Sequence, residues 1–386
     1  MTKPSKTKII HLVSDLGIGG VQKVVLDICS SANLAKYDVS IVTLNNDTDL
    51  LQTYKISPQV KIKTFSYQYS TDYSLKSYIK YAFFPSIIAK KSSTIINYIA
   101  EENPDILHVH IHPKEVNIGI LVQKKINCKI VYTQHTTYCT PKSITLNVLG
   151  IVLKHTYNKY HLIAVSKSVI QEIKEDKFNA KNKLLFLIEN KLNLALFKPQ
   201  PKKPKDYISV VYVARIGSPK AHKDLIEAWS MIDSSIKKKL FLVGPDGLNN
   251  QIQELAKKIV PDDSIVFMGA QFQIAEILNE CDFAVFPSHK EGLPIALLEK
   301  MAMKLPVIVS DIKELTDIVE DGKNGLVFKC GNPNDLAGKI SILLKDANLR
   351  KQLGKKARQT VEEKFGSNNI ALDNEKAYEE ILKLSK

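Results

Sequence analysis

The stretch EGLPIALLEKMAMKLPVIVSD, residues 291–311, runs from a turn through a helical pattern into an apolar strand. The Gly-Leu-Pro sequence after Glu291 is typical of a turn, and the apolar positions that follow predict a helix beginning near Ile295. Glu299 falls inside this helix, and the next apolar run predicts a buried strand. The stretch therefore predicts one unit of an alternating α/β fold, with one carboxylate before the helix start and one after it.

Strand-like apolar runs alternate with helical patterns on both sides of this stretch, which is typical of parallel α/β sheets. The alternation stops at a Pro- and Lys-rich segment, FKPQPKKPKD at 197–206, and then starts again. The predicted strands are KIIHLVS, DVSIVTL, DILHVH, KIVYT, HLIAVS and LLFLI before this segment, and ISVVYVA, KLFLV, SIVFM, DFAVF and PVIVS after it. We therefore expect an α/β fold of two doubly wound, Rossmann-like domains that face each other across a cleft.

The length of 386 residues and the hydrophobic content of 44% are also more than a single core usually holds. We expect an N-terminal domain at residues 1–197, a linker at 198–206 and a C-terminal domain at 207–365. Residues 366–386 carry the pattern NNIALDNEKAYEEILKL, which predicts an amphipathic helix that packs across the junction of the two domains.

Several features of the chain favour a cytoplasmic location. No apolar run approaches the ~20 residues that a membrane-spanning helix needs, and the first residues reach a strand without the apolar core of a secretory signal. The five cysteines are scattered without metal-ligand spacing, which is typical of reduced thiols.

The positive charge of the chain is concentrated in its first half. Residues 1–200 hold 26 lysines against 14 acidic residues, so they carry +12 of the net charge of +14. Nucleic acid, an anionic membrane surface or an anionic substrate could each explain this, and no nucleic-acid motif is recognisable. Residues 76–99 mix lysines with aromatic residues and favour an interfacial helix on the inner face of the cell membrane. Ordinary packed helices with solvated lysines are the alternative.

A glycine-rich turn, SDLGIGGVQKVVLDI at 14–28, is the first candidate site. It is not a dinucleotide-binding turn, because Gln22 stands where that motif requires a third glycine. Gly19 and Gly20 instead predict a backbone that can approach a phosphate or a sugar closely. The alternative is a turn that needs glycine for a positive φ.

The second candidate site is VARIGSPKAHKDLIEAW at 213–229, where Arg215 and Lys220 lie between a strand and a helix. The chain has only three arginines against 51 lysines, so an arginine on a strand-end loop stands out. A guanidinium fork suits a diphosphate, and the ammonium adds a second positive charge. A surface loop in a lysine-rich protein is the alternative.

Glu291 and Glu299 form the third candidate site. N–H groups at a helix start favour an anion, and a carboxylate can accept from two hydroxyl donors at once, as the vicinal hydroxyls of a sugar or a ribose offer. We therefore expect one glutamate to hold each end of a nucleotide sugar, together with the turn after Glu291, which comprises Gly292, Leu293, Pro294 and Ile295.

These residues resemble, in their order along the chain, the retaining GT-B glycosyltransferases of the family 4, or group 1, type. The matching positions of the second half are Arg215, Lys220, Gly244 in the turn LVGPDG, the strand SIVFMGA, and Glu291 with Glu299 in an E-x7-E arrangement. Those of the first half are Gly19, Gly20, His110 at the end of PDILHVH, His135 in VYTQHTT, and the segment IAVSKSV. The sequence ENKLNLALF departs from the family, which usually has Asn-Gly and then an acidic residue where this chain has Lys191 and Asn193.

The resemblance implies a role for each matching position. It implies that Glu299 binds the ribose, that Arg215 and Lys220 bind the diphosphate, that Glu291 and the amides after it bind the donor sugar, and that Gly19 approaches the phosphate from the other domain. His110 is implied to lie near the reacting centre, with a satisfied histidine at a strand end as the alternative, and His135 on the acceptor side. It further implies transfer with retention of configuration. Because Arg215 and Lys220 occupy the role that a metal would otherwise fill, we expect neither a cofactor nor a metal.

The expected function is therefore glycosyl transfer from a nucleotide sugar to a glycan or lipid-linked acceptor, in bacterial surface polysaccharide biosynthesis. A nucleotide-sugar epimerase of similar fold, a non-catalytic glycosyltransferase-like partner and, least favoured, a nicotinamide oxidoreductase are the alternatives. The tripeptide Asp47-Thr48-Asp49 imitates a metal-binding D-x-D motif, but its position after a strand favours a polar loop.

Overall fold

The computed structural model describes residues 6–67, 90–110, 117–137, 158–175, 183–260, 262–367 and 369–384. The chain divides into two compact units. The first unit comprises Met1–Glu189 and Asn369–Lys386, and the second comprises Asn190–Asn368. Most of the predicted interfacial segment, residues 76–89, lies outside the described residues, as does Cys139.

The first unit is built on a parallel sheet in the order β3-β2-β1-β4-β5-β6-β7. The order reverses between β1 and β4, which is the switch point of a doubly wound sheet. Its described strands are β1 (Thr7–Val13), β2 (Tyr37–Thr43), β3 (Lys61–Thr64), β4 (Ile106–Val109), β5 (Lys129–Gln134), β6 (His161–Ala164) and β7 (Leu185–Leu187). Its described helices before the second unit are α1 (Gly20–Ser31), α2 (Ser93–Glu102), α3 (Asn117–Gln123) and α4 (Lys167–Glu175).

The second unit repeats this plan with a parallel sheet in the order β10-β9-β8-β11-β12-β13. Its strands are β8 (Ile208–Val213), β9 (Lys238–Val243), β10 (Ile265–Gly269), β11 (Phe283–Phe286), β12 (Val307–Ser310) and β13 (Leu326–Phe328). Its helices are α5 (His222–Ser230), α6 (Gln251–Ile259), α7 (Ile274–Asn279), α8 (Ile295–Ala302), α9 (Lys313–Thr316), α10 (Pro333–Lys345) and α11 (Ala347–Lys364). The switch point here lies between β8 and β11.

The last helix, α12 (Leu372–Lys383), belongs to the first unit. Tyr378 and Ile381 are buried in the same apolar core as residues of β1, β2 and α1. Glu375 accepts a hydrogen bond from the backbone N–H of Asn33 at 2.8 Å, and Glu379 forms an ion pair with Lys36. The helix predicted to pack across the domain junction is thus an integral part of the first core.

The segment 198–206, predicted as a linker, is fixed to the second unit. The backbone N–H of Gln200 donates to Asn279 Oδ1 at 2.8 Å, and Lys205 lies 2.7 Å from the carboxylate of Asp282. The unit itself begins before this segment, at Asn190. The side chains of Asn279, at the end of α7, and Asp282, just before β11, therefore hold a stretch whose composition is that of a flexible connector.

The predicted α/β fold of two Rossmann-like sheets is confirmed. Each of the eleven predicted strand runs contains a strand, whereas β3 and β13 were not predicted. None of the helices among the described residues combines the length and the apolar character needed to cross a bilayer.

Candidate active site

Tyr212, near the end of β8, connects two loops of the second unit. Its hydroxyl donates to the carbonyl oxygen of Lys220 at 2.8 Å and lies 3.2 Å from Ser288 Oγ. The backbone N–H of His289 donates to the carbonyl of Pro219 at 2.9 Å. These bonds hold the loop after β8 beside the loop after β11, both at the carboxyl ends of their strands.

The two loops bring together Lys220 and Glu291. Lys220 Nζ lies 2.5 Å from Glu291 Oε1, and the Glu291 side chain is only 7% exposed while that of Lys220 is 29% exposed. Arg215 is on the same loop as Lys220 and is exposed. A cation and a carboxylate predicted as parts of one site are therefore in direct contact, and charge assistance strengthens such a bond relative to one between neutral groups.

Helix α8 begins at Ile295, as predicted, with Pro294 as its N-terminal cap residue. The five residues from Glu291 to Ile295 are all buried. Glu299 lies in the second turn of α8 and is 2% exposed. Both glutamates therefore have carboxylates within the packed part of the unit, where a carboxylate requires polar partners rather than bulk water.

Position 244, at the carboxyl end of β9, requires a glycine because of its backbone conformation. Its φ is +145°, and a Cβ there would lie 2.1 Å from the carbonyl oxygen of Ala214. A hydrogen bond also joins the two loops, since the N–H of Ile216 donates to the carbonyl of Pro245 at 2.9 Å. Gly244 thus lets the β9 turn press against the loop that carries Arg215.

The loop at residues 189–197 departs from the family pattern at Lys191 and Asn193. It contacts the site through Asn190, which precedes both of these positions. Asn190 Nδ2 donates to the carbonyl oxygen of Leu293 at 2.9 Å, which ties this loop to the turn after Glu291. Lys191 instead donates to the carbonyl of Lys364, and Asn193 accepts from the N–H of Ala195 within its own turn. The two unusual side chains therefore make structural contacts, and the link to the glutamate turn is kept.

In the glycine turn of the first unit, Gly19 is favoured by the close approach of a neighbouring side chain rather than by a positive φ. Gly19 caps α1 with an extended φ of −171°, and a Cβ there would lie 2.2 Å from Gln22 Oε1. Gln22 Nε2 donates to Asp15 Oδ1 at 2.8 Å. Gly20 opens α1, and a Cβ at this position would have no neighbouring group within 4 Å among the described residues. The open backbone at Gly20 fits the predicted approach of a ligand.

Asp47 and Asp49 lie in a polar turn after β2. Asp47 Oδ1 accepts from the backbone N–H of Asp49 at 3.2 Å, and the carbonyl of Asp47 accepts from the N–H of Leu16. A Cβ at Gly17 would lie 2.3 Å from Asp47 Oδ2. The D-x-D sequence thus supports the glycine turn.

Four histidines of the first unit form a connected cluster at the carboxyl ends of β1, β4 and β5. His11 Nδ1 lies 3.1 Å from His110 Nε2, and His110 Nδ1 lies 3.0 Å from His135 Nε2. His108, which is paired with His11 in the sheet register, places its ring 4.0 Å from that of His110. We call His11, His108, His110 and His135 the histidine cluster.

Burial keeps the histidine cluster uncharged. It lowers the pKa of His11 to about 3 and that of His135 to about 4. The pKa values of His108 and His110 are held well below 6.5 by burial first and by the neighbouring imidazoles second. At neutral pH each ring therefore offers one N–H donor and one lone pair.

His110 is more enclosed than its predicted role suggests. The residue is 5% exposed, and both of its ring nitrogens are bonded to other imidazoles. It can contact a sugar through a ring nitrogen only by exchanging one of these bonds. His135 ends the chain of imidazoles and is half-buried, so it is the member with more surface.

Three of these imidazoles, His11, His108 and His110, place nitrogen atoms within 4.8 Å of one another, as a metal site would require. The two nitrogens of His108, however, are each 2.6 Å from a hydroxyl oxygen, one of Thr133 and one of Tyr378. Its lone pair is therefore not directed at the space shared with the other two rings. The donor set fits a hydrogen-bonded network better than a tetrahedral zinc site.

His222 was not singled out by the sequence. It is 2% exposed, its ring lies 4.7 Å from that of Tyr212, and neither ring nitrogen has a hydrogen-bond partner among the described residues. Burial, and then the charge of Lys220, lowers its pKa to about 4. A neutral imidazole thus lies against the ring of Tyr212, two residues along the chain from the lysine of the candidate site.

Two family models match consecutive parts of the chain. The model described as "Glycosyltransferase Family 4" matches residues 18–190, and the model described as "Glycosyl transferases group 1" matches residues 195–360. The first covers His108, His110 and His135 of the histidine cluster, and the second covers Arg215, Lys220 and the two glutamates.

Relatives of the chain include three bacterial enzymes with specific names. The chain is 27% identical over 302 residues to N-acetyl-alpha-D-glucosaminyl L-malate synthase of Bacillus anthracis, covering 76% of this chain and 79% of that protein. It is 33% identical to the N,N'-diacetylbacillosaminyl-diphospho-undecaprenol alpha-1,3-N-acetylgalactosaminyltransferase of Campylobacter jejuni, over 45% of each chain. It is 29% identical to the capsular polysaccharide biosynthesis glycosyltransferase CapM of Staphylococcus aureus, over 58% of this chain and 62% of that protein.

Solved structures share the fold over nearly the whole chain. Sucrose-phosphate synthase from Thermosynechococcus elongatus superposes with a TM-score of 0.80 at 22% identity, covering 98% of this chain and all of that one. Anabaena HepE in complex with UDP and glucose superposes with a TM-score of 0.78 at 16% identity, covering 97% of this chain and all of that one.

The buried imidazoles predict that mild acid destabilises the first unit. Because their folded-state pKa values lie below the ordinary 6.5, the unfolded chain takes up protons first as the pH falls. The stabilisation is therefore complete above about pH 6.5 and is lost progressively towards pH 4. At pH 5, each imidazole with a folded-state pKa of about 4 should cost about 2 kcal/mol of unfolding free energy.

Denaturant unfolding of the protein at about pH 7.5 and about pH 5 measures this loss. His161, whose pKa burial lowers to about 4, lies in β6 of the same sheet outside the histidine cluster. His161→Gln should reduce the pH dependence by the share of one imidazole, about 2 kcal/mol. An unfolding free energy that is the same at both pH values would contradict the burial of neutral histidines.

Proposed function

Because this chain belongs to the GT-B glycosyltransferases of the family 4, group 1 type, we propose that it transfers a sugar from a nucleotide-sugar donor to a glycan or lipid-linked acceptor, with retention of anomeric configuration. The observation that carries the donor assignment is the contact of Lys220 with Glu291 at the strand ends of the second unit, beside Arg215 on the same loop. A nucleotide sugar has a diphosphate for the two cations and sugar hydroxyls for the carboxylate.

Arg215 and Lys220 supply the charge that the reaction requires. The bond between the anomeric carbon and the diphosphate oxygen breaks, and its electron pair stays on the nucleoside diphosphate. Fixed cations stabilise this negative charge as it develops, which is the largest single contribution in many enzymes. No protein nucleophile is needed in this scheme.

Retention follows when the acceptor attacks the same face of the sugar that the diphosphate leaves. The acceptor hydroxyl oxygen forms the new bond to the anomeric carbon, and its proton passes to the departing diphosphate oxygen. The sugar carries positive charge between these two events. The carboxylate of Glu291 in contact with the sugar hydroxyls stabilises that charge, and the amides from Gly292 to Ile295 position the ring.

The Lys220–Glu291 pair is exchanged when the donor binds. In the structure the two side chains satisfy each other at 2.5 Å. A diphosphate brings two negative groups to Lys220, so it can replace Glu291 as the partner of the ammonium. Glu291 is then released to the sugar hydroxyls, while Glu299 binds the ribose at the other end of the donor.

On the first unit, the backbone at Gly19 and Gly20 approaches the phosphate, and His110 and His135 contribute neutral imidazoles. Burial keeps both rings uncharged, because it lowers their pKa values below 6.5, so they act as hydrogen-bonding groups rather than as a general base of matched pKa. A divalent ion or another cofactor is not required in this scheme, because the two cations of the second unit take the charge-stabilising role.

The acceptor is proposed to belong to bacterial surface polysaccharide biosynthesis. The support is the likeness to CapM and to the Campylobacter enzyme, whose names specify a capsular polysaccharide pathway and an undecaprenol-linked substrate. The likeness of the fold to HepE, solved with UDP and glucose, agrees with a nucleotide-sugar donor. The protein is proposed to act in the cytoplasm, at the inner face of the membrane.

An assay of donor binding and turnover tests the proposed function. A panel of nucleotide sugars is screened by thermal unfolding, where a ligand at 100 times its dissociation constant adds about 2.7 kcal/mol of stability. The stabilising donor is then incubated with lipid-linked acceptors in excess chelator, and we expect release of nucleoside diphosphate together with a glycoside of retained configuration. A new nucleotide sugar without diphosphate release would instead indicate an epimerase, and activity restored only by manganese would contradict the metal-free scheme.

Replacement of Glu291 and of Glu299 by alanine should have different effects on kinetics and on diphosphate binding. Glu299→Ala should raise KM and weaken nucleoside diphosphate binding, because its ribose contact is the same before and after reaction. Glu291→Ala should lower kcat while leaving diphosphate affinity nearly intact, because its contact is to the sugar and Lys220 stays available to the phosphate. Each change should be about ten- to a hundredfold, from loss of one charged hydrogen bond of about 1.5 to 3 kcal/mol.

Steady-state kinetics and calorimetric titration with the diphosphate separate these effects. Glu276→Ala, at an exposed position of α7, is the matched control and should change neither quantity. An equal loss of diphosphate affinity in both glutamate variants would show that the ends of the donor are assigned wrongly.

Membrane association is tested by partitioning onto anionic and neutral vesicles. Lys90 and Lys91 are exposed just before α2, and each lysine near an anionic surface contributes about 1 kcal/mol. Replacement of Lys76, Lys80, Lys90 and Lys91 by Gln should therefore release the protein from anionic vesicles. A control with the same charge change on α11, at Lys351, Lys355, Lys356 and Lys364, should still bind, and equal binding to neutral lipid would contradict the proposal.

A further inference from the structure

Helix α12 reaches the histidine cluster through one hydroxyl group. Tyr378 is 2% exposed, and its hydroxyl oxygen lies 2.6 Å from His108 Nδ1. The two rings meet edge to face, with centroids 5.6 Å apart and planes at 83°. The contact joins residues 270 positions apart in the chain.

The direction of this hydrogen bond follows from the groups involved. Burial raises the pKa of Tyr378 well above 10 and holds that of His108 well below 6.5, so the phenol keeps its proton and the imidazole is neutral. A phenol O–H is a stronger donor than a neutral imidazole N–H, and an imidazole nitrogen is a stronger acceptor than a phenol oxygen, so we infer that Tyr378 donates and that Nδ1 of His108 accepts. The single proton of His108 is then on Nε2, which donates to Thr133 Oγ1 at 2.6 Å.

Thr133 and His108 are each two residues before an imidazole of the candidate site. Side chains two residues apart in a strand lie on the same face of a sheet, so Thr133 shares a face with His135, and His108 shares one with His110. The rings of His108 and His110 are 4.0 Å apart. A change in the proton position of His108 therefore acts on both strands that carry the candidate imidazoles.

We propose that Tyr378 is a positioning residue for the transfer reaction: by its hydrogen bond to His108 it fixes the tautomer of that ring, and through Thr133 and the His108–His110 ring contact it sets the orientation of His110 and His135. This role rests on the proposed function of the two imidazoles in the reaction. It also gives the terminal helix a part in catalysis without contact between that helix and the substrate.

The test compares Tyr378→Phe with Tyr37→Phe. Tyr37 is also buried in the first core, and its hydroxyl lies 3.4 Å from Glu379 of the same helix, but it does not contact the histidine cluster. Both variants remove one hydroxyl and keep the ring. We expect Tyr378→Phe to lower kcat about five- to tenfold, as for loss of one neutral hydrogen bond of about 1 kcal/mol, with KM for the donor and diphosphate affinity unchanged. Tyr37→Phe should leave kcat unchanged.

Nitrogen-15 NMR of the histidine side chains reports the tautomer of His108, which would not change if Tyr378 contributed only to packing. In the unmodified protein His108 should show one tautomer, with the proton on Nε2, and Tyr378→Phe should convert it to a mixture. Thr133→Val removes the other hydroxyl bonded to His108 and should lower kcat by a similar factor. The double variant should then lose little more than either single variant, because both break one chain of hydrogen bonds.

Equal kcat values for Tyr378→Phe and the unmodified protein, or an unchanged His108 tautomer, would overturn the proposal. So would additive losses in the double variant, since they would mean that the two hydroxyls act separately. If the unmodified protein transfers no sugar from any donor, the proposed function fails first. The NMR comparison still shows in that case whether Tyr378 fixes the tautomer.

Discussion

The parallel arrangement of the strands is the constraint on which both candidate sites depend. In a parallel sheet all carboxyl ends lie at one edge, so residues that follow different strands are brought together even when they are far apart in sequence. His110 follows β4 and His135 follows β5 in the first unit, while Arg215 follows β8, Gly244 follows β9 and Glu291 follows β11 in the second. The sheets therefore bring these groups to one edge of each unit independently of any specific side-chain contact.

Desolvation decides what these groups can be once they are placed. A buried ionised group needs a partner, and the second unit meets this need by pairing Glu291 with Lys220. The first unit meets it differently, because its buried imidazoles lose their charge and bond to one another and to hydroxyl groups. One unit thus presents charged groups at the carboxyl ends of its strands, and the other presents neutral donors and acceptors.

The fold was largely predictable from the sequence because strand periodicity and length depend on local residues. The two strands that were missed show the limit of that signal. β3, with the sequence Lys-Ile-Lys-Thr, lies at the sheet edge and has no buried residue, and β13 has only three residues. The charged candidates could also be found, since Arg215, Lys220 and the glutamates interrupt apolar or glycine-rich sequence. The location of α12 could not, because amphipathicity predicts a buried face but not the surface that covers it.

Two members of the histidine cluster, His11 and His108, lay beyond sequence reasoning for a further physical reason. His11 and His108 fall within otherwise apolar strands, where a single histidine carries no sign of its partner. Their chemistry arises from proton positions, and the single proton of a neutral imidazole lies on one nitrogen while the other nitrogen accepts. A neutral phenol that donates to one nitrogen of His108 therefore leaves the proton of that ring on the other nitrogen. Tyr378 is such a group, since burial raises the pKa of its phenol so that it can be a donor but not an anion at neutral pH. The last helix thus determines a property of the site that the residues of the site do not determine themselves.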